Sequence, residues 1–128
     1  MNTIQLTRAN PQTDYAVCRL APDADVPSWV PASGFVSITR TPEELSIVCA
    51  DHAVPENIQA QRHFRILKIE GPLDFSLTGI LLAVAGPLAD EGIPIFALST
   101  YDTDYILVPA ACIDKAVAVL RDAGHCLA

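Results

Sequence analysis

The second half of this sequence changes its hydrophobic period in a fixed order, and that order limits the folds open to it. Arg65 to Glu70 (Arg-Ile-Leu-Lys-Ile-Glu) has the character of a strand. Ser76 to Glu91 then sets Leu77, Ile80, Leu81, Val84 and Leu88 at spacings of three and four, one face of a helix. Gly92 suits the C-cap, while Pro87 inside the pattern predicts a kink or a break. Ile93 to Thr100 is nearly continuously apolar, which predicts a central strand. Tyr101-Asp102-Thr103 reads as a turn and Asp104 to Val108 as the antiparallel return strand. A second helix is expected from Pro109 or Ala110 to Ala123, with Ile113, Val117 and Leu120 on one face and Gly124 as its cap. His125 to Ala128 is left for a short last strand. The order β-α-β-β-α, with a closing β, is the ferredoxin-like split βαβ.

The first half reads as strands joined by loops. Thr3 to Thr7 and Asp14 to Leu20 are strands separated by turn chemistry in Asn10-Pro11-Gln12-Thr13. Ala21 to Pro31 contains Pro22, Pro27 and Pro31 and must be a loop. Trp29 in that loop is expected to fold back onto the core, since an indole in water leaves a large apolar area unburied. Phe35 to Thr39 alternates as a strand. Thr41-Pro42-Glu43-Glu44 has an N-cap, a proline at N1 and acids in the first turn, predicting a short helix before the strand Leu45 to Ala50. Asp51 to His63 is polar and irregular, the expected linker. The expected division is an N-terminal half, residues 1–62, short in helix, and a C-terminal half, residues 63–128.

Composition excludes several classes of function. Eight basic residues face fifteen acidic ones, a net charge of -7, and the bases are scattered, so no stripe exists to neutralise a nucleic-acid backbone or an anionic membrane. The longest apolar run, Ile80 to Ala85, is too short to span a bilayer. No basic and apolar leader precedes Asn10, and Cys18, Cys49 and Cys112 sit in apolar runs, where a free cysteine acts as a small hydrophobe. These features point to the cytoplasm. At 51% hydrophobic, the chain has enough apolar side chains to bury some between halves or between subunits, which favours a homodimer.

From Arg65 onward the sequence resembles the ACT-domain family. Leu67-Lys68-Ile69-Glu70-Gly71-Pro72-Leu73-Asp74-Phe75-Ser76-Leu77-Thr78-Gly79 looks like the opening of an ACT domain in small bacterial tandem-ACT proteins. Gly92 to Val108 is similar to the second and third strands of the same family, and Ser37 to Cys49 to its first half. Aspartokinase regulatory domains and the arginine-sensing CASTOR proteins carry a related pattern. The resemblance implies an α+β protein of two ferredoxin-like halves of βαββαβ type, with antiparallel sheets and helices on one face. It also implies a small ligand at the seam between units.

Two segments carry the candidate site. Asp74, Phe75, Ser76 and Leu77 stand at the expected helix N-terminus, where free backbone N–H groups favour an α-carboxylate. Ser99, Thr100, Tyr101, Asp102, Thr103 and Asp104 form the strand-turn-strand, with hydroxyls, carbonyls and two carboxylates. The resemblance implies that such loops meet. Asp102, Asp104 or Asp74 would then take an ammonium or guanidinium, which favours a neutral or cationic amino acid over a dicarboxylic one. Each residue also has a structural role to weigh against this. Ser76 suits a helix cap, Asp74 favours the helix dipole, Asp102 suits a turn, and Tyr101 and Tyr105 suit the edge of a core. Asp104 opens a strand, where a bare carboxylate is less usual, and is the residue most favoured for function.

Motifs for zinc, nucleotide phosphates and a nucleophilic serine are absent, and His52, His63 and His125 are isolated from one another. With the resemblance, this implies an amino-acid-binding sensor or regulatory protein, for which no catalytic activity, metal or cofactor is expected. The alternative is an assembly module that binds a partner protein through a sheet edge or an apolar seam.

Overall fold

The structure, a computed structural model, describes residues 3–70 and 79–127. The chain divides into two compact units, Gln12–Phe64 and a second made of Met1–Pro11 with Arg65–Ala128.

The unit of residues 12–64 contains β2 (Tyr15–Leu20), β3 (Ser37–Arg40), β4 (Leu45–Ala50) and the first half of β5 (Ala60–Ile69). The antiparallel order β3-β4-β2-β5 is that of a ferredoxin-like sheet. Loops, with one short 3-10 helix at Asp51–Ala53, stand where that fold carries α-helices. Ala16, Cys18, Leu45, Ile47 and Cys49 form one buried face, completed by Val54. Trp29 and Val30 from the proline-rich loop pack against it, as the indole's apolar area demands.

Thr41-Pro42-Glu43-Glu44 forms no helix. It is the turn between β3 and β4, in which the Thr41 hydroxyl accepts from the Glu43 and Glu44 N–H groups at 3.2 Å each and Thr41 N donates to the Glu44 carbonyl at 2.9 Å. A threonine hydroxyl serves a tight turn as readily as a helix start, and the pull of buried Leu45 into the sheet decides between them.

The unit of residues 1–11 and 65–128 contains β1 (Gln5–Ala9), the second half of β5, α1 (Ile80–Asp90), β6 (Phe96–Ser99), β7 (Asp104–Pro109), α2 (Ile113–Asp122) and β8 (Cys126–Leu127). Its strand order is β6-β7-β5-β1-β8. β1 runs antiparallel to β5, with Leu6 opposite Ile69 and Ala9 opposite Ile66, and parallel to β8. β1 thus takes the place beside β5 that the last strand holds in a simple split βαβ. One core joins Leu6, Leu67, Ile69, Ile106 and Val108 to Val84 and Leu88 of α1 and to Ala116, Val117 and Leu120 of α2. Each large aliphatic side chain buried there contributes roughly 1.5–3 kcal/mol.

Two expectations are corrected in this unit. α1 begins at Ile80 after Gly79 rather than at Ser76. Of the two outcomes expected at Pro87, a break is not seen, since the proline stands inside α1. The apolar run Ile93 to Thr100 is not a central strand. β6 starts at Phe96 and pairs with β7 alone among the described residues, so β5 is central and β6 an edge. The early part of the run is apolar for another reason. Gly92 (φ 70) ends α1, and Ile93 N then donates back to the Leu88 carbonyl at 3.0 Å, burying Ile93 against Leu88. Gly124 (φ 96) ends α2 the same way, with His125 N bonded to the Leu120 carbonyl at 3.0 Å. Among the described residues no helix is long and apolar enough to cross a membrane.

Candidate ligand site

The turn between β6 and β7 holds the second candidate segment. Ser99 and Asp104 are register partners, and the Ser99 hydroxyl donates to Asp104 Oδ1 at 2.5 Å. Thr100 N and the Thr100 hydroxyl both donate to the Thr103 carbonyl, at 2.8 and 3.0 Å. Thr103 points inward, 4% exposed, and its hydroxyl donates to the Ile69 carbonyl. That bond fastens the hairpin turn to the C-terminal end of β5. Ser99, Thr100, Tyr101 and Asp102 are exposed, Tyr101 to 83%, so Tyr101 is not a core-edge aromatic. Asp74, Phe75, Ser76 and Leu77 lie outside the described residues. The chain reaches them from β5 through Glu70, one residue after Ile69.

Ser99, Thr100, Tyr101, Asp102, Thr103 and Asp104 therefore share one turn at one strand end. What this arrangement offers is hydrogen-bond donors and acceptors and two carboxylates. Among the described residues no group of three or more His, Cys, Asp or Glu side chains has the arrangement of a metal site.

Two polar clusters escaped the sequence reading. In the unit of residues 12–64, Arg62 Nη1 pairs with Asp51 Oδ1 at 2.7 Å and Arg62 Nη2 donates to the Pro55 carbonyl at 2.8 Å. His63 N donates to Asp51 Oδ2 at 2.9 Å, and His63 Nδ1 lies 3.1 Å from Asp14 Oδ2. Asp51 thus ties this stretch together, and its last residues, from Ala60, already belong to β5. The second cluster centres on His125, 5% exposed, whose Nδ1 accepts from Ile4 N at 3.1 Å. Neither is marked by a short motif, because the partners are remote in sequence.

Cys18 and Cys49 are buried in the core as small hydrophobes. Burial, and then the neighbouring Cys49, push the Cys18 thiol up to about 11, and burial also raises Cys49. These are poor nucleophiles.

Comparison with known proteins gives the lineage. A family model described as the ACT domain matches residues 59–122, half of the chain, and a model of an N-terminal domain matches residues 13–57. The X-ray structure of a protein from Agrobacterium tumefaciens is 39% identical with a TM-score of 0.93, over 100% of this chain and 94% of that one. The human cytosolic arginine sensor for mTORC1 subunit 1 is 39% identical over 59 residues, 45% of this chain and 18% of that protein. This chain spans about half the length, or less, of the curated relatives it matches. The regulatory subunit of aspartate kinase from Thermus flavus, at 12% identity, shares the fold with a TM-score of 0.61 over 95% of this chain and 97% of that one. With half its length matched by the family model and its whole length by a relative of 39% identity, the chain belongs to the ACT-domain family.

Proposed function

We propose that this protein is a regulatory module that binds a small amino acid, neutral or cationic, and catalyses no reaction. The observation that carries the reading is the bond from the Thr103 hydroxyl to the Ile69 carbonyl. It holds the Ser99–Asp104 turn, exposed at Ser99, Thr100, Tyr101 and Asp102, at the end of β5 that leads into Glu70. Asp104, tethered by Ser99 through one oxygen, keeps lone pairs for an ammonium or guanidinium, with Asp102 beside it. Asp74, Phe75, Ser76 and Leu77, which precede α1 in sequence, belong to the same proposed site on the side of the α-carboxylate.

The relatives support the ligand class and the role. The human one is named a cytosolic arginine sensor and the Thermus flavus one a regulatory subunit. By that likeness the ligand is an amino acid, the compartment the cytosol, and any regulated activity lies in a separate partner. The division into ACT-like halves at residues 62 and 63, and assembly as a homodimer, belong to the same proposal.

One observation favours the second reading, an assembly module. Leu81 and Leu82 are both exposed on α1, Leu82 to 71%, and adjacent exposed leucines suit a protein surface. A thermal-shift screen against the standard amino acids separates the two. A ligand that binds only the folded state stabilises it by roughly 2.7 kcal/mol at a hundredfold excess over Kd. A clear shift with one amino acid supports the sensor. No shift with any at millimolar concentration moves the assignment to the assembly module.

A further inference from the structure

We propose that a pocket beside the start of α2, within the unit of residues 1–11 and 65–128, binds a small zwitterion bearing one carboxylate and one amine. The pocket has a volume of about 220 Å³. Its charged lining is Arg8, Arg65 and Asp114, and Ala9, Pro11, Ile66 and Ile113 supply apolar wall. It lies away from the hairpin turn. Ala9 pairs with Ile66, whereas Thr103 reaches Ile69. The three steps along β5 from Ile66 to Ile69 span about 10 Å.

The distribution of charge is the first reason to assign a ligand. The chain carries -7 overall and only eight basic side chains, yet two guanidiniums line this one pocket. Arg65 has a structural task, since its Nη1 donates to the Pro11 carbonyl at 2.7 Å. That bond holds the exit of β1 against the start of the second half of β5. Arg8 has no such anchor. It forms no ion pair or side-chain hydrogen bond among the described residues. A guanidinium beside apolar wall is matched to a carboxylate, which it can bind through two parallel N–H donors.

Asp114, in the first turn of α2, supplies the opposite sign. Its carboxylate repels the second charge of a dianion and accepts an ammonium. Solvation of Arg8 and the dipole of α2 explain each charged residue singly; they do not explain why both signs border one cavity with apolar wall. The volume limits the occupant to a molecule about the size of a small amino acid. This inference stands apart from the hairpin site and does not depend on it.

The test is a titration of the 128-residue chain, followed by backbone amide chemical shifts, with L-alanine, propionate, succinate and inorganic phosphate as separate probes. L-alanine is expected to shift the Ala9, Ile66 and Ile113 amides saturably in the millimolar range, ahead of the other three. Arg8→Gln should weaken that binding at least about tenfold. Arg8→Lys should fall between the two, and Asp114→Asn should erase the preference for L-alanine over propionate. Asp104→Asn should leave these shifts unchanged, which keeps the outcome distinct from that of the hairpin site. The proposal is overturned if those amides do not move, if propionate, succinate or phosphate binds as tightly as L-alanine, or if Arg8→Gln binds like the parent.

Discussion

The backbone carbonyl of Ala83 receives from His125 Nε2, at 2.9 Å, the hydrogen bond that Pro87 four residues later has no N–H to give. A proline inside a helix leaves the carbonyl of residue i−4 without its partner. Here the vacancy is filled from outside the helix. Since His125 Nδ1 accepts from Ile4 N, the imidazole proton sits on Nε2, and one side chain ties α1 to the N-terminal segment.

His125→Ala leaves both the Ile4 N–H and the Ala83 carbonyl without that partner, and should cost about 1–3 kcal/mol. Pro87→Ala restores an N–H that can reach the Ala83 carbonyl. In a double-mutant cycle read by urea unfolding, the loss on His125→Ala should therefore be smaller in the Pro87→Ala background. Strict additivity would show that the two residues do not share the carbonyl.

Asp51 accepts from both Arg62 and the His63 backbone, and its side chain is only 14% exposed. Asp51→Ala leaves the Arg62 guanidinium without its ion partner in a part-buried place, and should destabilise the protein by about 1–3 kcal/mol. Arg62→Met should cost less, because it removes the charge rather than stranding it. Chemical denaturation of the two variants checks the order.

The Cys18 thiol gives a pH signature. Its folded value of about 11 lies above the 9.0 of an unburied thiol, so the folded state holds the proton more tightly than the unfolded chain. The contribution is fully present below pH 9.0 and is lost as pH rises toward 11. Cys18→Ala should remove this alkaline loss, on the order of 2 kcal/mol. In the folded parent, exposed Cys126 should react with a thiol reagent at once, and Cys18 and Cys49 only after unfolding.

Leu6 is 1% exposed and lies in a core formed mainly by residues beyond 65. Leu6→Ala should cost about 2–5 kcal/mol, as for a central core leucine, although it sits near the chain terminus. A loss below about 1 kcal/mol would contradict the placing of β1 beside β5.

These residues also mark how much the sequence discloses. Gly92 and Gly124 were legible as helix ends because a C-cap is set by one residue's backbone freedom and its neighbours. Trp29 was legible because a large apolar surface must find cover. Thr41-Pro42-Glu43-Glu44 was misread, since its local bonds suit a turn and a helix start alike. The insertion of β1 between β5 and β8 and the bond from His125 to Ala83 depend on long-range pairing that no local pattern records. For the site, the chemistry of Ser99–Asp104 was visible in sequence. Its attachment to the end of β5 was not, because the Thr103 hydroxyl reads as an ordinary turn residue until Ile69 is beside it.

The most direct test of the amino-acid reading is calorimetric titration of the parent and of Asp104→Asn with the amino acid that gives the largest thermal shift. The account predicts saturable binding to the parent, at least about tenfold weaker binding to Asp104→Asn, and nearly equal melting temperatures in the absence of ligand. Equal affinity in the two proteins, or unfolding of the variant, would contradict it.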